Sequence, residues 1–125
     1  MANIMVVDDE PALLESMRAY LTRLGHSVTA LQNAESAWER FSADPSVYAV
    51  VIVDMTLSGM SGEAFIRKLL DRNLGVAVLA TSGYPGSLYN LQGPPGARIA
   101  MLEKPFTPAM LTDALAKLLG SSTEP

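Results

Sequence analysis

The stretch Ala49-Val50-Val51-Ile52-Val53, followed directly by Asp54, is a continuous apolar run that ends in a carboxylate. Apolar residues at successive positions predict a strand buried on both faces, as central strands of parallel sheets are. Three more runs rich in Val, Ile, Leu and Met predict strands of the same kind, and a weaker run predicts a fifth strand. In chain order these four runs are Ile4–Val7, the weaker Val28–Leu31, Val76–Ala80 and Ile99–Leu102.

Segments with helical spacing of apolar residues follow four of the five predicted strands. Ser61 is a candidate cap for the third of these helices, and Thr107 for the last, which has Pro108 in its first turn and Gly120 just past its end. Strand and helix alternate along the chain, which predicts a doubly wound α/β sheet with right-handed crossovers. The apolar positions are Leu13, Met17, Leu21 and Leu24, then Ala34 to Phe41, then Phe65, Ile66, Leu69 and Leu70, then Leu111, Leu115 and Leu118.

The segment between the fourth and fifth strands breaks this pattern. It is rich in proline and glycine, which leaves only Ser87 to Gln92 for a fourth helix. Because proline removes backbone donors and glycine adds backbone entropy, we expect that helix to be short or irregular. Residues 1–120 are predicted to form one domain, and residues 121–125 a flexible tail.

Composition excludes several classes of function. The longest apolar run is far shorter than the roughly 18–20 residues that span a bilayer, and no targeting signal is visible, so we expect a cytoplasmic protein without membrane contact. Nine basic and thirteen acidic residues give a net charge of −4 without a basic cluster, so direct nucleic-acid binding is not expected. The absence of cysteine excludes disulfides, thiolate zinc sites and cysteine nucleophiles.

Polar side chains follow four of the predicted strands, at the point where each strand ends. They occur in Asp8-Asp9-Glu10, Asp54, Thr81-Ser82-Gly83 and Glu103-Lys104-Pro105. The carboxyl ends of parallel strands meet at one rim of a sheet, so these distant segments are predicted to form one pocket. That pocket would hold several carboxylates, one hydroxyl and one ammonium group.

The charges of this predicted pocket favour a divalent cation. Carboxylates a few ångströms apart repel by roughly 4 kcal/mol per pair at an effective dielectric constant near 20, so they need a cation or raised pKa values. An oxygen-only set of ligands suits Mg²⁺. Asp8, Asp9 and Asp54 together with Mg²⁺ and Lys104 sum to zero charge, and such a site can accept an incoming phosphoryl group.

These residues, in this order, resemble the response-regulator receiver family of two-component signalling, over nearly the whole chain. The stretch from Val50 to Gly62 is similar to the family's phosphoacceptor strand and loop, and Lys104-Pro105-Phe106 is similar to its Lys-Pro signature. The resemblance implies a flavodoxin-like (βα)5 fold with strand order 2-1-3-4-5. It also implies a histidine kinase or phosphotransfer protein as donor and output through protein contacts, and it leaves a weak homodimer open.

The resemblance further implies a role for each residue of the pocket. Asp54 would attack the phosphorus of a phosphohistidine, Thr81 would hydrogen-bond the phosphoryl oxygens, and Lys104 would neutralise the charge that develops on them. The chain would assist its own phosphorylation and dephosphorylation without being an enzyme for other substrates. The implied Mg²⁺ ligands are Asp9 directly, Asp8 partly through water, Asp54, and the backbone carbonyl of Thr56.

Three departures from the family pattern concern how phosphorylation would be signalled to a partner, and not the residues that react. Met101 stands where the family usually has an aromatic residue whose rotamer follows the threonine, so Thr81 and Met101 are candidates for a switch. Ser58 replaces a proline that is common four residues after the phosphoacceptor. The third departure is the segment rich in proline and glycine between the fourth and fifth strands.

Three alternatives stay open at this point. The chain could be the receiver segment of a larger hybrid histidine kinase, which would then carry kinase activity elsewhere. A phosphohydrolase with an aspartyl nucleophile also has Asp at a strand end, although it needs a cap domain for which 125 residues leave no room. A flavodoxin-like nucleotide or flavin binder is disfavoured because no glycine-rich phosphate loop follows any predicted strand.

Overall fold

The apolar runs form one parallel sheet in the structure, a computed structural model that describes residues 2–57, 59–83 and 93–120. The strand order is β2-β1-β3-β4-β5, and all four neighbouring pairs are parallel. The predicted fold class and strand order are thereby confirmed. The strands are β1 (Asn3–Val7), β2 (Ser27–Leu31), β3 (Val50–Asp54), β4 (Ala77–Ser82) and β5 (Arg98–Glu103).

Four helices lie within the described residues, and side chains cap the starts of three of them. The side chains of Asn33, Ser61 and Thr107 each accept a hydrogen bond from the backbone N–H three residues later, as Ser61 and Thr107 were predicted to do. Gly120 follows the last helix with a φ of 65°, in the left-handed region that glycine adopts without strain. The helices are α1 (Pro11–Arg23), α2 (Ala34–Ala43), α3 (Gly62–Arg72) and α4 (Pro108–Leu119).

Some of the predictions fall on residues that the structure does not describe. The proposed short helix at Ser87 to Gln92, the residue Ser58 and the tail at 121–125 lie outside the described residues. Across the part of the chain that is described, no helix has both the length and the apolar character needed to cross a membrane.

The helices cover the sheet on both faces, because successive residues of each buried strand point to opposite sides. One core layer packs α2 and α3 against Met5, Val51 and Val78, with Phe41 and Phe65 as its largest fully buried side chains. The other layer packs α1 and α4 against the alternate strand positions. Its members include Ile4, Val6, Ile52, Leu79, Leu14, Met17, Leu21, Leu111 and Leu115.

Two details of the predicted core are wrong. The fifth strand was expected to be apolar on both faces, but β5 is an edge strand on which Met101 is 48% exposed. Leu24 was expected on the buried face of α1, but it is also 48% exposed, because α1 ends at Arg23 and the chain turns at Gly25, which has a φ of 101°.

The sheet register brings the carboxyl ends of the strands together at one rim. Asp54, the last residue of β3, pairs with Thr81 of β4, and the backbone N–H of Met55 donates to the Thr81 carbonyl at 2.8 Å. The backbone N–H of Lys104 donates to the Ser82 carbonyl, also at 2.8 Å, and the Lys104-Pro105 peptide bond is cis. The rim therefore holds the start of each loop that carries a predicted site residue.

Candidate functional site

Three carboxylates form the acidic part of the rim. Asp8 follows β1, and Asp54 ends β3; both are buried, whereas Asp9 is exposed. One oxygen from each of the three side chains lies within 4.8 Å of an oxygen from the others. The structure thus brings together the three acidic residues whose convergence the sequence predicted, and all of their ligand atoms are oxygen.

Lys104 reaches into this acidic cluster from the loop after β5. Its Nζ lies 3.0 Å from Asp8 Oδ2 and 3.3 Å from Asp54 Oδ2, and only 15% of its side chain is exposed. A third carboxylate, Glu10, approaches the same ammonium at 3.4 Å from the solvent side. The Lys104 ammonium, carried by the loop after the fifth strand, therefore contacts carboxylates at the ends of the first and third strands.

The pKa values of Asp8 and Lys104 follow from burial and from their contact. Burial raises the pKa of Asp8, although the hydrogen bonds from the Glu10 N–H and from Lys104 oppose the shift. Burial lowers the pKa of Lys104, but the hydrogen bond to Asp8 and the charges of Asp8 and Asp54 together raise it above its ordinary value. Lys104 therefore carries its positive charge at neutral pH.

Both oxygens of Asp54 are engaged. Oδ1 accepts hydrogen bonds from the Thr56 N–H at 3.0 Å and from the Thr56 hydroxyl at 2.8 Å, whereas Oδ2 faces Lys104. The sequence assigned Thr56 only a backbone carbonyl, so the contact of its hydroxyl was missed. Aspartate side chains often accept from the backbone N–H two residues later, so the contact with the Thr56 N–H follows a local pattern, whereas the hydroxyl contact depends on the rotamer of Thr56.

Thr81 and Met101, the two candidate switch residues, lie in different surroundings. Thr81 is fully buried beside Asp54, and its hydroxyl lies 3.5 Å from the Val53 carbonyl, at the outer limit for a hydrogen bond. Met101 pairs with Ala80 in the register and is largely exposed on the edge strand. Thr81 therefore belongs to the rim that holds the carboxylates, and Met101 to the adjoining surface.

Gly62 fixes the loop after Asp54, a role that the sequence analysis missed. It is the first residue of α3, and a Cβ there would lie 2.6 Å from Met55 Cα and 2.9 Å from the Asp54 carbonyl oxygen. Neither backbone atom can move aside cheaply, so only glycine allows α3 to start this close to β3. The approach depends on two backbones in three dimensions and leaves no pattern in the sequence.

The Gly62→Ala substitution should therefore destabilise the fold and displace Asp54. We expect a loss of about 1–3 kcal/mol in the free energy of unfolding, as for other overpacked positions. Urea unfolding followed by the fluorescence of Trp38, the sole tryptophan, measures it. Gly83→Ala is the matched control, because a Cβ at Gly83 meets no atom of the described residues within 4 Å. Equal stability of the two variants would contradict the close-approach argument.

The raised pKa of Asp8 predicts a stabilising substitution. A carboxyl group whose pKa is raised by burial destabilises the folded state above that pKa, and the penalty disappears below the unfolded value of 3.8. Asp8→Asn removes the charge and keeps an oxygen that can accept from the Glu10 N–H. In EDTA we expect a higher urea midpoint at pH 7, with a gain that shrinks on acidification.

The control for this substitution is Asp71→Asn, which removes an exposed carboxylate from α3 and should leave the midpoint nearly unchanged. An Asp8→Asn protein that is less stable than the unaltered chain in EDTA at pH 7 would show that the contact with Lys104 outweighs burial.

Comparison with known proteins identifies the class that this fold and rim define. The family model described as the response regulator receiver domain matches residues 4–116, and the chain therefore belongs to that family. Receiver domains of this family interact with histidine kinases or phosphotransfer proteins and normally bind Mg²⁺ in an acidic pocket. This family match does not support the phosphohydrolase or the flavin-binding alternative.

Individual relatives agree with this assignment. Response regulator Rre1 of Synechocystis is 32% identical in an alignment 122 residues long that covers 94% of this chain and 51% of that protein. A CheY homolog, a chemotaxis protein of Campylobacter jejuni, is 26% identical and is matched over 96% of this chain and 94% of its own length. The chain thus spans about half of Rre1 and nearly all of the CheY homolog.

A solved structure of similar size also matches. The response regulator protein TrrA of Thermotoga maritima, in complex with Mg(2+)-BeF, is 26% identical to this chain with a TM-score of 0.83. The match covers 95% of this chain and 100% of that one.

Proposed function

We propose that residues 1–120 act as a receiver that accepts a phosphoryl group from a phosphohistidine onto Asp54 and signals through protein contacts. The observation that carries this proposal is the position of Lys104, whose ammonium lies 3.3 Å from Asp54 Oδ2 and 3.0 Å from Asp8 Oδ2. A buried carboxylate beside a fixed cation, at the open rim of a parallel sheet, combines a nucleophile with a group that stabilises an incoming anion.

Mg²⁺ fits the acidic cluster as its cofactor. Three carboxylates and one ammonium leave two negative charges, which one divalent cation balances. All the available ligands are oxygens, as Mg²⁺ prefers, and the presence of Mg²⁺ in the TrrA complex supports the choice. We infer that Asp8, Asp9, Asp54 and the Thr56 carbonyl would hold the ion, which when bound neutralises charge on the phosphoryl oxygens.

Several residues of the chain have separate roles in the proposed transfer of the phosphoryl group. Oδ1 of Asp54 is held by the N–H and the hydroxyl of Thr56, so the carboxylate is oriented with Oδ2 toward Lys104. We infer that Oδ2 forms the new bond to phosphorus while the bond from phosphorus to the donor nitrogen breaks. Lys104 then binds the phosphoryl oxygens, and the Thr81 hydroxyl can turn from the Val53 carbonyl to donate to them.

We infer that the output surface lies along β4 and β5. Thr81 would respond to the phosphoryl group, and Met101, exposed two strand positions before Glu103, would present the change to a partner. The chain assists the gain and loss of its own phosphoryl group in this proposal and has no other substrate. A histidine kinase or phosphotransfer protein is the donor.

Incubation of the purified chain with acetyl phosphate, with Mg²⁺ or with EDTA, tests the proposal by intact mass. We expect the mass of one phosphoryl group to appear with Mg²⁺ and not with EDTA. An equal gain in EDTA would contradict the metal assignment. No gain from either acetyl phosphate or a phosphoimidazole would contradict the phosphoacceptor role.

A further inference from the structure

A cleft of about 590 Å³ opens beside Lys104 and runs along the first turns of α1. Its walls are largely apolar, and Leu13, Pro105 and Phe106 form much of them. The polar side chains at the end nearest Asp54 are those of Lys104 and Glu10. Asp54 is not part of these walls, but it lies 3.3 Å from Lys104, which is. A flat, partly apolar group in the cleft can therefore lie with a polar edge beside Glu10 and its reactive atom toward Asp54.

Glu10 stands at the mouth of this cleft on a fixed backbone. Its N–H donates to Asp8 Oδ1 at 2.8 Å, while its side chain is 66% exposed and reaches Lys104 at 3.4 Å. The main chain at Glu10 is thus tied to the acidic cluster, and the carboxylate remains accessible to a molecule that enters the cleft.

The charge of Glu10 is not needed to balance the site. Lys104 and one bound Mg²⁺ would already neutralise Asp8, Asp9 and Asp54, so Glu10 adds a negative charge where a phosphoryl anion must arrive. Such a charge opposes the approach of the anion. It becomes favourable if the donor carries a hydrogen-bond donor or a positive charge on the side that faces Glu10.

We propose that Glu10 selects phosphoimidazole donors in their protonated form, by accepting a hydrogen bond from the N–H that the phosphoimidazolium carries on its second ring nitrogen. The inference rests on the proposed function and assigns to Glu10 the recognition of the donor ring at that site. The Asp54 oxygen forms a bond to phosphorus, the phosphorus–nitrogen bond breaks, and its electron pair returns to that nitrogen. The proton on the other ring nitrogen, held by Glu10, stays there, so the ring leaves as neutral imidazole.

A donor without such an N–H receives no help from Glu10. Acetyl phosphate releases acetate, which is an anion and has no hydrogen to donate, so the Glu10 carboxylate cannot assist its departure. Glu10 therefore changes the ratio of the transfer rate from phosphoimidazole to the transfer rate from acetyl phosphate, and not only the magnitude of each rate. A residue that merely positions Lys104 would change both rates together.

The test compares phosphoimidazole and acetyl phosphate as donors to the full chain with Mg²⁺, by the rate of mass gain. A charge-assisted hydrogen bond predicts that Glu10→Ala lowers the ratio of the phosphoimidazole rate to the acetyl phosphate rate by about tenfold. Glu10→Gln keeps an oxygen acceptor without the charge and should lower it less. Glu15→Gln, which removes a charge from α1, the helix that Glu10 precedes, at a residue paired with Arg18, is the control and should not change the ratio.

An unchanged ratio in Glu10→Ala, or an equal slowing with both donors, would overturn the inference. Circular dichroism of both Glu10 variants shows that the fold is intact. Failure of the proposed function looks different, because the unaltered chain would then take a phosphoryl group from neither donor.

Discussion

The Asp54→Asn variant should gain no phosphoryl group from any donor while its fold stays intact. The amide that replaces the carboxylate is not a nucleophile, so the bond to phosphorus cannot form. The remaining oxygen can still accept from the N–H and hydroxyl of Thr56, and the repulsion between Asp54 and Asp8 is removed. We therefore expect complete loss of the mass gain with acetyl phosphate and Mg²⁺, together with a urea midpoint close to that of the unaltered chain.

Asp71→Asn is the matched control, since it makes the same chemical change on the exposed surface of α3. It should take up a phosphoryl group at the rate of the unaltered chain. A residual gain in Asp54→Asn, mapped by peptide mass to Asp8 or Asp9, would show that a neighbouring carboxylate can serve as acceptor and would refute the assignment of Asp54.

The order of the strands and helices could be predicted from the sequence because the residue patterns that indicate them are local. The buried strand β3 is apolar at every position before Asp54, and the caps at Ser61 and Thr107 are residues whose short oxygen side chains bind the backbone nearby. The errors arose where a tertiary position decides exposure. Met101 lies in an apolar run but on the edge strand, and Leu24 follows the helical spacing but comes after the helix has ended.

The meeting of the acidic residues and Lys104 could also be predicted, because parallel strands deliver their carboxyl ends to one rim. Contacts that depend on a rotamer or on a close backbone approach could not. The Thr56 hydroxyl bond to Asp54, the reach of Glu10 to Lys104 and the fit of Gly62 against Met55 are of this kind. Each of these contacts depends on a side-chain torsion angle, or on the position of a helix to within a few tenths of an ångström.

Removal of the ammonium by Lys104→Ala should slow phosphoryl transfer without weakening Mg²⁺ binding. The lysine faces Oδ2 of Asp54, where negative charge would accumulate on the phosphoryl oxygens, so its loss should slow transfer by about 100- to 1000-fold, as for other groups that stabilise charge in a transition state. Mg²⁺ binding should be retained, because the ammonium supplies no ligand and repels the cation.

The same substitution leaves two buried carboxylates without their cation. In EDTA we expect Lys104→Ala to lower the free energy of unfolding by about 3 kcal/mol, and Mg²⁺ to restore much of it, because the ion replaces the missing positive charge. Transfer rates by intact mass and urea midpoints across a Mg²⁺ titration measure the two effects, with the exposed Lys117→Ala on α4 as control. A variant that lost its stabilisation by Mg²⁺ but kept its transfer rate would reverse the roles given to the lysine and the carboxylates. Restored stability with slow transfer would instead mean that Mg²⁺ can replace the ammonium in holding the folded site together but not in the transfer step.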